Sequence, residues 1–327
     1  MARTIGGLVN LGIAKELARG TMPDTADVWY PWIDVSFKPM REYIYSQEAL
    51  GNIDETHESK VIAAYGEGDF SGEVRVNPIG YLLYGLMGTL STAVVEAGTV
   101  WDHTFTLANN NQHQSLTFYF DEPNGDYRFP LVMIETFELQ CELSEYVKFN
   151  GSFVSNKEQD SVIASPTHID DYKFVSTQAN IKFAVNIAGL AAASVTKMQS
   201  MTLTVAKNLL RKMVLGTIDP YDILNQVFGV TGSFTLPYED KTFRDYFKDG
   251  TSMAMEIELL DNSTLIGAVS HPTLTIQMPS VTFEDFTPQR PKGELYEQEI
   301  SFKAKRDEDN DLSSISSIVL RNTTDTY

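Results

Sequence analysis

Carboxylates at strand spacing are the residues of this sequence that most resemble a catalytic arrangement. Glu138 and Glu142 lie four residues apart in one alternating segment, and Glu256 and Glu258 lie two residues apart in another. Such spacing puts each set on one face of a strand, where paired acids act in glycoside hydrolysis. The chain contains 44 Asp and Glu residues, so pairs of this kind arise without a catalytic role. We therefore expect no enzyme.

The histidines, the cysteine and the serines do not occur in the patterns of known metal or catalytic sites. The five histidines lack paired helical spacing, and no Cys/His cluster of the zinc-binding type occurs. Cys141 is the only cysteine, which excludes an intramolecular disulfide, and it falls on an apolar strand face where a thiol is inert. The sequence contains no Gly-x-Ser-x-Gly elbow and no phosphate-loop lysine. We expect no catalytic residue, no cofactor and no metal.

Composition and charge narrow the function classes further. With 43% apolar residues and no apolar run near the ~18 residues of a membrane span, the 327-residue chain is expected to be globular and not membrane-bound. Its start lacks the pattern of a secretory signal, which predicts assembly in the cytoplasm. The 44 acidic residues outnumber the 25 basic ones and give a net charge of -19. That charge repels phosphate, so nucleic-acid binding by charge is disfavoured.

A repeated motif indicates that the chain is duplicated. Leu50-Gly-Asn-Ile-Asp54 recurs as Leu215-Gly-Thr-Ile-Asp219, with four of five positions identical. Single glycines follow each copy in the same order and at nearly constant separation, and they pair as Gly72 with Gly232 and Gly88 with Gly250. Ser155–Asp160 is polar and reads as the link between the copies. We therefore expect two domains, residues 1–157 with an N-terminal arm and residues 158–327 with a C-terminal extension.

The predicted secondary structure is similar in the two halves. Alternating apolar residues predict strands over 70–76, 115–120, 137–143 and 147–153, and then over 232–238, 255–259, 281–283 and 299–304. In 137–143 one face carries Phe137, Leu139, Cys141 and Leu143, and the other face is acidic.

Each half also contains one short helix. A helix is predicted over 79–87, with Asn77 as cap, Pro78 at its start and Gly88 as stop. Asp240 and Gly250 bound a second helix over 242–248.

Five short segments in the first half carry a family resemblance. They are Leu11–Thr21, Gly72, Gly80–Gly88, His103–Phe105 and Ser115–Thr117. In this order they resemble the major tail tube proteins of tailed bacteriophages, in the longer class of such chains. The resemblance covers about residues 11–154, whereas the second half is more divergent and has no His-Thr-Phe counterpart.

The resemblance implies a mainly β fold: two duplicated β-sandwich or β-barrel tail-tube domains, each with a short flanking helix. It implies rings stacked into a hollow virion tail tube through which DNA passes without specific binding. Most family members carry one domain and form hexameric rings, so three copies of a two-domain chain would form a pseudo-hexameric ring. The implied partners are further copies of the chain, the tape measure protein, the tail terminator and distal tail or baseplate proteins. Assembly would take place in the host cytoplasm.

Within this expectation some residues acquire roles. A tube wall that repels DNA favours Glu138, Glu142, Glu256 and Glu258 as lumen-facing acids, although an outer solvated face explains them equally well. Trp29, Tyr30 and Trp32 are candidates for an N-terminal arm that packs against the sheet or a neighbouring ring.

Two other functions remain open at this stage. One is a single-ring virion part of related fold, such as a baseplate or distal tail protein or a head-tail completion protein. The other is a β-sandwich carbohydrate-binding module or adhesin, for which the same three aromatic residues would form an exposed platform.

Overall fold

The computed structural model describes residues 5–163, 166–290, 292–293 and 295–327. The chain is mainly β, with large antiparallel sheets and a few short helices, which confirms the predicted class. The helical elements are α1 (Ile79–Met87), α2 (Ile187–Leu190), α3 (Thr242–Asp249) and the 3-10 turns Gly6–Leu8 and Ser176–Gln178.

The strands of the first half are β1 (Asn10–Lys15), β2 (Val28–Tyr30), β3 (Asp34–Val35), β4 (Lys38–Tyr45), β5 (Ser59–Glu73), β6 (Gly88–Glu96), β7 (Val100–Leu107), β8 (Leu116–Asp121), β9 (Asp126–Glu142), β10 (Lys148–Asn156) and β11 (Gln159–Ser161). Those of the second half are β12 (Ala179–Ala184), β13 (Val195–Thr196), β14 (Ser200–Ala206), β15 (Leu210–Lys212), β16 (Asp222–Leu224), β17 (Gly229–Pro237), β18 (Ser252–Leu260), β19 (Thr273–Gln289), β20 (Glu297–Lys305) and β21 (Ser317–Asn322).

The two halves share an order of elements. In the first half β5 is followed by α1, the β8–β9 hairpin and β10, with the β6–β7 hairpin inserted after α1. In the second half β17 is followed by α3, the β18–β19 hairpin and β20. The strands β9 and β19 are each 17 residues long. Each pairs with its hairpin partner near its start and with the following strand near its end. This order is compatible with a duplication.

Eight strands of the larger sheet form one run across both halves, which we call the eight-stranded sheet. Its order is β4, β5, β10, β9, β14, β17, β20, β19, with every pair antiparallel. The halves meet where β14 lies beside β9, in a register that runs from Ser200 opposite Glu142 to Ala206 opposite Thr136. The strand that completes the ladder of the first half therefore comes from the second half.

The segment predicted as a polar link is mostly strand. Ser155 and Asn156 belong to β10, and Gln159 and Asp160 belong to β11, which pairs with the start of β9. Gln159 and Asp160 are exposed on β11, whereas Ser155 is buried, so the segment is not an extended linker.

Both predicted helices are present, with one difference in capping. Gly88 and Gly250 have φ angles of 89° and 63°, the left-handed conformation that ends a helix most easily at glycine. Asp240 accepts a hydrogen bond from the Thr242 amide at 2.8 Å, as expected of a cap. The cap predicted at Asn77 is wrong: its side-chain amide donates to Asp171 at 2.7 Å, and α1 has no side-chain cap.

The core lies against one face of the eight-stranded sheet. The buried face of β9 carries Phe137, Leu139 and Cys141, as the alternation predicts. Leu143 departs from the prediction and is 61% exposed, because β9 ends at Glu142 and the chain turns there. Helix α1 packs into the same core through its apolar side chains. A second, smaller cluster buries Leu131, Met133 and Val154 against Ile223 of β16.

Candidate functional site

The solvent face of the eight-stranded sheet is polar across both halves. Residues opposite one another in neighbouring antiparallel strands share a face, so the register defines rows of side chains across the sheet. The first row consists of Ser71, Asn150, Glu138, Thr204, Thr231, Lys303 and Thr282. The second consists of Glu73, Lys148, Gln140, Thr202, Ser233, Ser301 and Asp285. A third, shorter row consists of Glu142, Ser200, Thr235, Glu299 and Thr287.

The three rows contain only polar side chains and are acidic on balance. Lys148 and Lys303 are their two cations, against five carboxylates, which are Glu73, Glu138, Glu142, Asp285 and Glu299. The Lys148 ammonium donates to Glu145, and that hydrogen bond raises the pKa of the lysine. Hydroxyl and amide groups fill the remaining positions. Such a surface repels phosphate and offers no aromatic ring on which a nucleobase could stack.

Glu138 and Glu142 both lie on this face, as the alternation of β9 requires. Glu138 is partly buried and accepts hydrogen bonds from Gln140 and, at 3.3 Å, from the Thr204 hydroxyl. Glu142 is exposed and lies opposite Ser200. The Thr204 contact comes from the second half, so the environment of Glu138 depends on the junction between the halves.

Glu256 and Glu258 lie elsewhere and are paired within the chain. Both are on β18, which pairs with the first part of β19 and belongs to none of the three rows. There the Lys182 ammonium lies 2.9 Å from Glu256 and 3.4 Å from Glu258. Gln277 also donates to Glu256 at 2.8 Å. Glu256 is only 7% exposed, and its hydrogen bond raises the pKa of Lys182. The structure therefore does not bring this pair together with Glu138 and Glu142.

Comparison with known proteins identifies the family. A family model described as phage tail tube protein matches residues 6–304, which is nearly the whole chain. The chain belongs to the phage tail tube protein family. This tail tube protein is accordingly a structural component of the virion tail, and the resemblance noted from the sequence is confirmed. No curated protein matches the chain. In the part of the chain that the structure describes, no helix is long and apolar enough to cross a membrane.

The N-terminal aromatic residues of the tail tube protein pack against their own chain. Tyr30 is fully buried, and its hydroxyl donates to the Glu73 carbonyl oxygen at 2.8 Å. Burial raises the pKa of Tyr30, which stays protonated. The Trp32 indole donates to the Val9 carbonyl oxygen at 2.9 Å, and Trp29 lies against Gly12. Tyr30 is thus a core residue, and within the protomer the three residues pack against their own chain, which is one of the two positions expected for the arm.

The sequence analysis identified only Glu138 and Glu142 of this polar face, although alternating polar residues in the second half also indicate it. In Ser200–Ala206, hydroxyl side chains at 200, 202 and 204 alternate with buried Met201, Leu203 and Val205, the pattern of a strand with one solvated face. Cys141, on the core side of β9, is 5% exposed, and burial raises the pKa of its thiol to about 12. This thiol packs in the core of the tail tube protein.

Proposed function

We propose that this tail tube protein polymerises as stacked rings into a hollow tube, that three copies form each pseudo-hexameric ring, and that phage DNA passes through the lumen during ejection. The observation that carries the proposal is the polar face, whose rows run across seven adjacent strands, from β5 to β19, and both halves of the chain. In this arrangement the face lines the lumen, with Glu138 and Glu142 among its acids.

The chemistry of the face fits a conduit for DNA. DNA carries one charge per ~1.7 Å of helix axis, so cationic side chains on the wall would hold it by releasing counterions. Carboxylates repel the phosphates, and hydroxyl groups stay hydrated without forming an ionic contact. The rows contain neither the basic track nor the stacking rings of a protein that retains nucleic acid.

Equivalent local features support two tail-tube domains per chain, 1–157 and 158–327. Gly72 lies opposite Phe149 in the ladder of β5 and β10, and Gly232 lies opposite Phe302 in the ladder of β17 and β20. In each case the phenylalanine ring occupies the space next to the glycine. With two such domains per chain, three copies supply the six positions of a pseudo-sixfold ring.

The ends of the eight-stranded sheet provide the ring contact. At one end β4 pairs with β5 alone. At the other end, residues 283–289 of β19 pair with β20 on one side, and no strand of the described ranges pairs with their second side. Two different free edges on one protomer favour a head-to-tail contact by sheet extension, which closes into a ring when the rotation fits. The β9–β14 junction is the same kind of contact made inside one chain.

The remaining partners follow from the place of a tube in a tail. We propose that the tube contacts the tape measure protein in its lumen, the tail terminator at one end and distal tail or baseplate proteins at the other. The protein would assemble in the host cytoplasm, and it would have no enzymatic role and no cofactor.

Electron microscopy and mass measurement of the purified protein test the assembly, and charge reversal tests the lumen. Phage carrying Glu138→Lys with Glu142→Lys should form tubes of normal appearance but lose infectivity by about tenfold or more, because two lysines would hold the phosphates.

The matched control is Asp245→Lys with Asp249→Lys, which changes the charge equally. These residues lie on α3, which packs through Phe243 against Phe234 and Phe283 on the opposite side of the same sheet. Normal infectivity of the Glu138 and Glu142 variant, or an equal loss in the control, would contradict the lumenal assignment.

A further inference from the structure

The repeated motif occupies two loops at one end of the eight-stranded sheet. Leu50–Asp54 lies between β4 and β5, just beyond the pair Tyr45 and Ser59. Leu215–Asp219 lies between β15 and β16, in the connection from β14 to β17 beyond the pair Ala206 and Gly229. The register of the intervening strands β10 and β9 puts both loops at the same end, which we name the loop end.

The two copies also share a backbone conformation. Gly51 and Gly216 have φ angles of 76° and 92°, the left-handed region that favours glycine. In each copy a leucine precedes this glycine and an isoleucine follows two residues later. The motif therefore encodes one turn, made twice.

The apolar side chains of the motif contribute little to the core of the protomer. Ile53 and Leu215 have relative exposures of 103% and 102%, and Leu50 and Ile218 are 65% and 41% exposed. Exposed apolar residues are common singly, but the same leucine and isoleucine in two equivalent turns form a repeated apolar feature. The protomer uses the second turn through polar groups, since the Ile218 carbonyl oxygen accepts from the Ala64 amide at 2.8 Å and Asp219 pairs with Lys157 at 2.9 Å. It does not bury the leucine and isoleucine side chains, which an intermolecular contact would do.

The opposite end of the sheet carries exposed apolar residues in both halves. The turn between β9 and β10 exposes Leu143 (61%) and Tyr146 (46%), and the turn between β19 and β20 exposes Leu295 (76%). A groove of about 480 Å³ lies beside the first turn, lined by Tyr146 and Val175 among others. We name this the turn end. Like the loop end, it has one apolar feature per half.

We propose that the Leu-Gly-x-Ile-Asp turns of one copy dock onto the turn end of a second copy in the next ring. The inference rests on the proposed function, because it assigns the contact between the stacked rings. A turn presented twice by one chain requires a receiving surface that is also presented twice, and the opposite end of the same chain provides it. Because the two surfaces differ and lie at opposite ends, each docked ring exposes a fresh loop end, and the stack grows without limit.

The test removes the apolar tips by Ile53→Asp together with Leu215→Asp. Both side chains are fully exposed, so the melting temperature should not change. We expect rings of wild-type mass, with the polymerised fraction in sedimentation and electron microscopy reduced by at least about tenfold, as for central contacts of an interface. The control is Val185→Asp, which alters an equally apolar side chain that is 82% exposed beside α2, and it should polymerise normally.

The remaining outcomes show whether the docking role or the proposed function itself is wrong. Wild-type protein that forms neither rings nor tubes contradicts the proposed function itself. Wild-type tubes together with normal tubes of the double variant overturn the docking role. Variants that remain monomeric beside tubular wild type also overturn it, because the turns would then be needed for ring closure rather than stacking. An equal loss for Val185→Asp overturns the specificity of the two turns.

Discussion

The two equivalent glycines of the long strands predict unequal responses to alanine. A Cβ atom at Gly232 would lie 2.4 Å from the Thr202 carbonyl oxygen and 2.5 Å from Cζ of Phe302. At Gly72 the nearest atom is Cε1 of Phe149 at 3.1 Å, and no backbone atom is among the three nearest. A ring can tilt by a few tenths of an ångström, whereas a paired strand must move as a unit.

The magnitudes follow from overpacking and chain entropy. Extra methyl groups that force backbone shifts lower the free energy of unfolding by ~1–3 kcal/mol. Replacing glycine by alanine raises it by ~0.4–1 kcal/mol, because the unfolded chain has less conformational entropy. We expect Gly232→Ala to lower the free energy of unfolding by about 2 kcal/mol. For Gly72→Ala, where only a ring moves, we expect a loss of about 1 kcal/mol or less.

Urea unfolding followed by tryptophan fluorescence measures both variants against wild type. Equal losses, or a larger loss for Gly72→Ala, would refute the claim that the approach of the neighbouring strand sets the cost. An unchanged slope of free energy against urea is needed to assign the difference to the folded state.

Three further predictions concern stability. Gly80→Ala should lower the melting temperature by at least about 3 °C in a fluorescence melt, because its Cβ would lie 2.1 Å from the buried Tyr327 ring. Hydrogen bonds from the Ser270 hydroxyl and nearby backbone amides lower the pKa of Glu96 to about 2. The contribution of this carboxylate to the free energy of unfolding is therefore fully present above pH ~4.3 and is lost as the pH falls through about 2. The melting-temperature gap between wild type and Glu96→Gln should therefore shrink from pH 5 to pH 2. Burial lowers the pKa of Lys207 to about 7, so between pH 7 and 10 the unfolded chain binds more protons than the folded chain. The free energy of unfolding should therefore rise with pH over this range by at most about 1.4 kcal/mol per pH unit. The Lys207→Met variant should lack this slope.

Local features of the fold were predictable because local chemistry determines them. The helix over 79–87 follows from a proline before its first turn and from Gly88, which takes the left-handed conformation at its end. The buried face of β9 follows from alternation. The same rule fails at Leu143, where the strand has ended and the period no longer applies.

Long-range partners were not predictable from local patterns. The alternation of β9 shows that Glu138 faces away from the core, but not that Thr204 lies beside it. Glu256 has the same strand spacing, yet it is neutralised by Lys182 on a strand more than 70 residues earlier. An aromatic residue such as Tyr30 can satisfy its hydroxyl inside the protomer or across an interface, and composition does not distinguish the two.

The junction of β9 with β14 shows why a boundary along the chain need not be a boundary in the sheet. Leu139 lies opposite Leu203 and Phe137 opposite Val205, so the core face is continuous where the halves meet. A cut after residue 157 would leave β9 without its β14 partner and would expose one edge on each piece. Within the eight-stranded sheet, the intact chain covers both of these edges and leaves unpaired those of β4 and of residues 283–289 of β19. An additional protomer can pair with these without disturbing the junction already made, which is the property that a ring of identical chains requires.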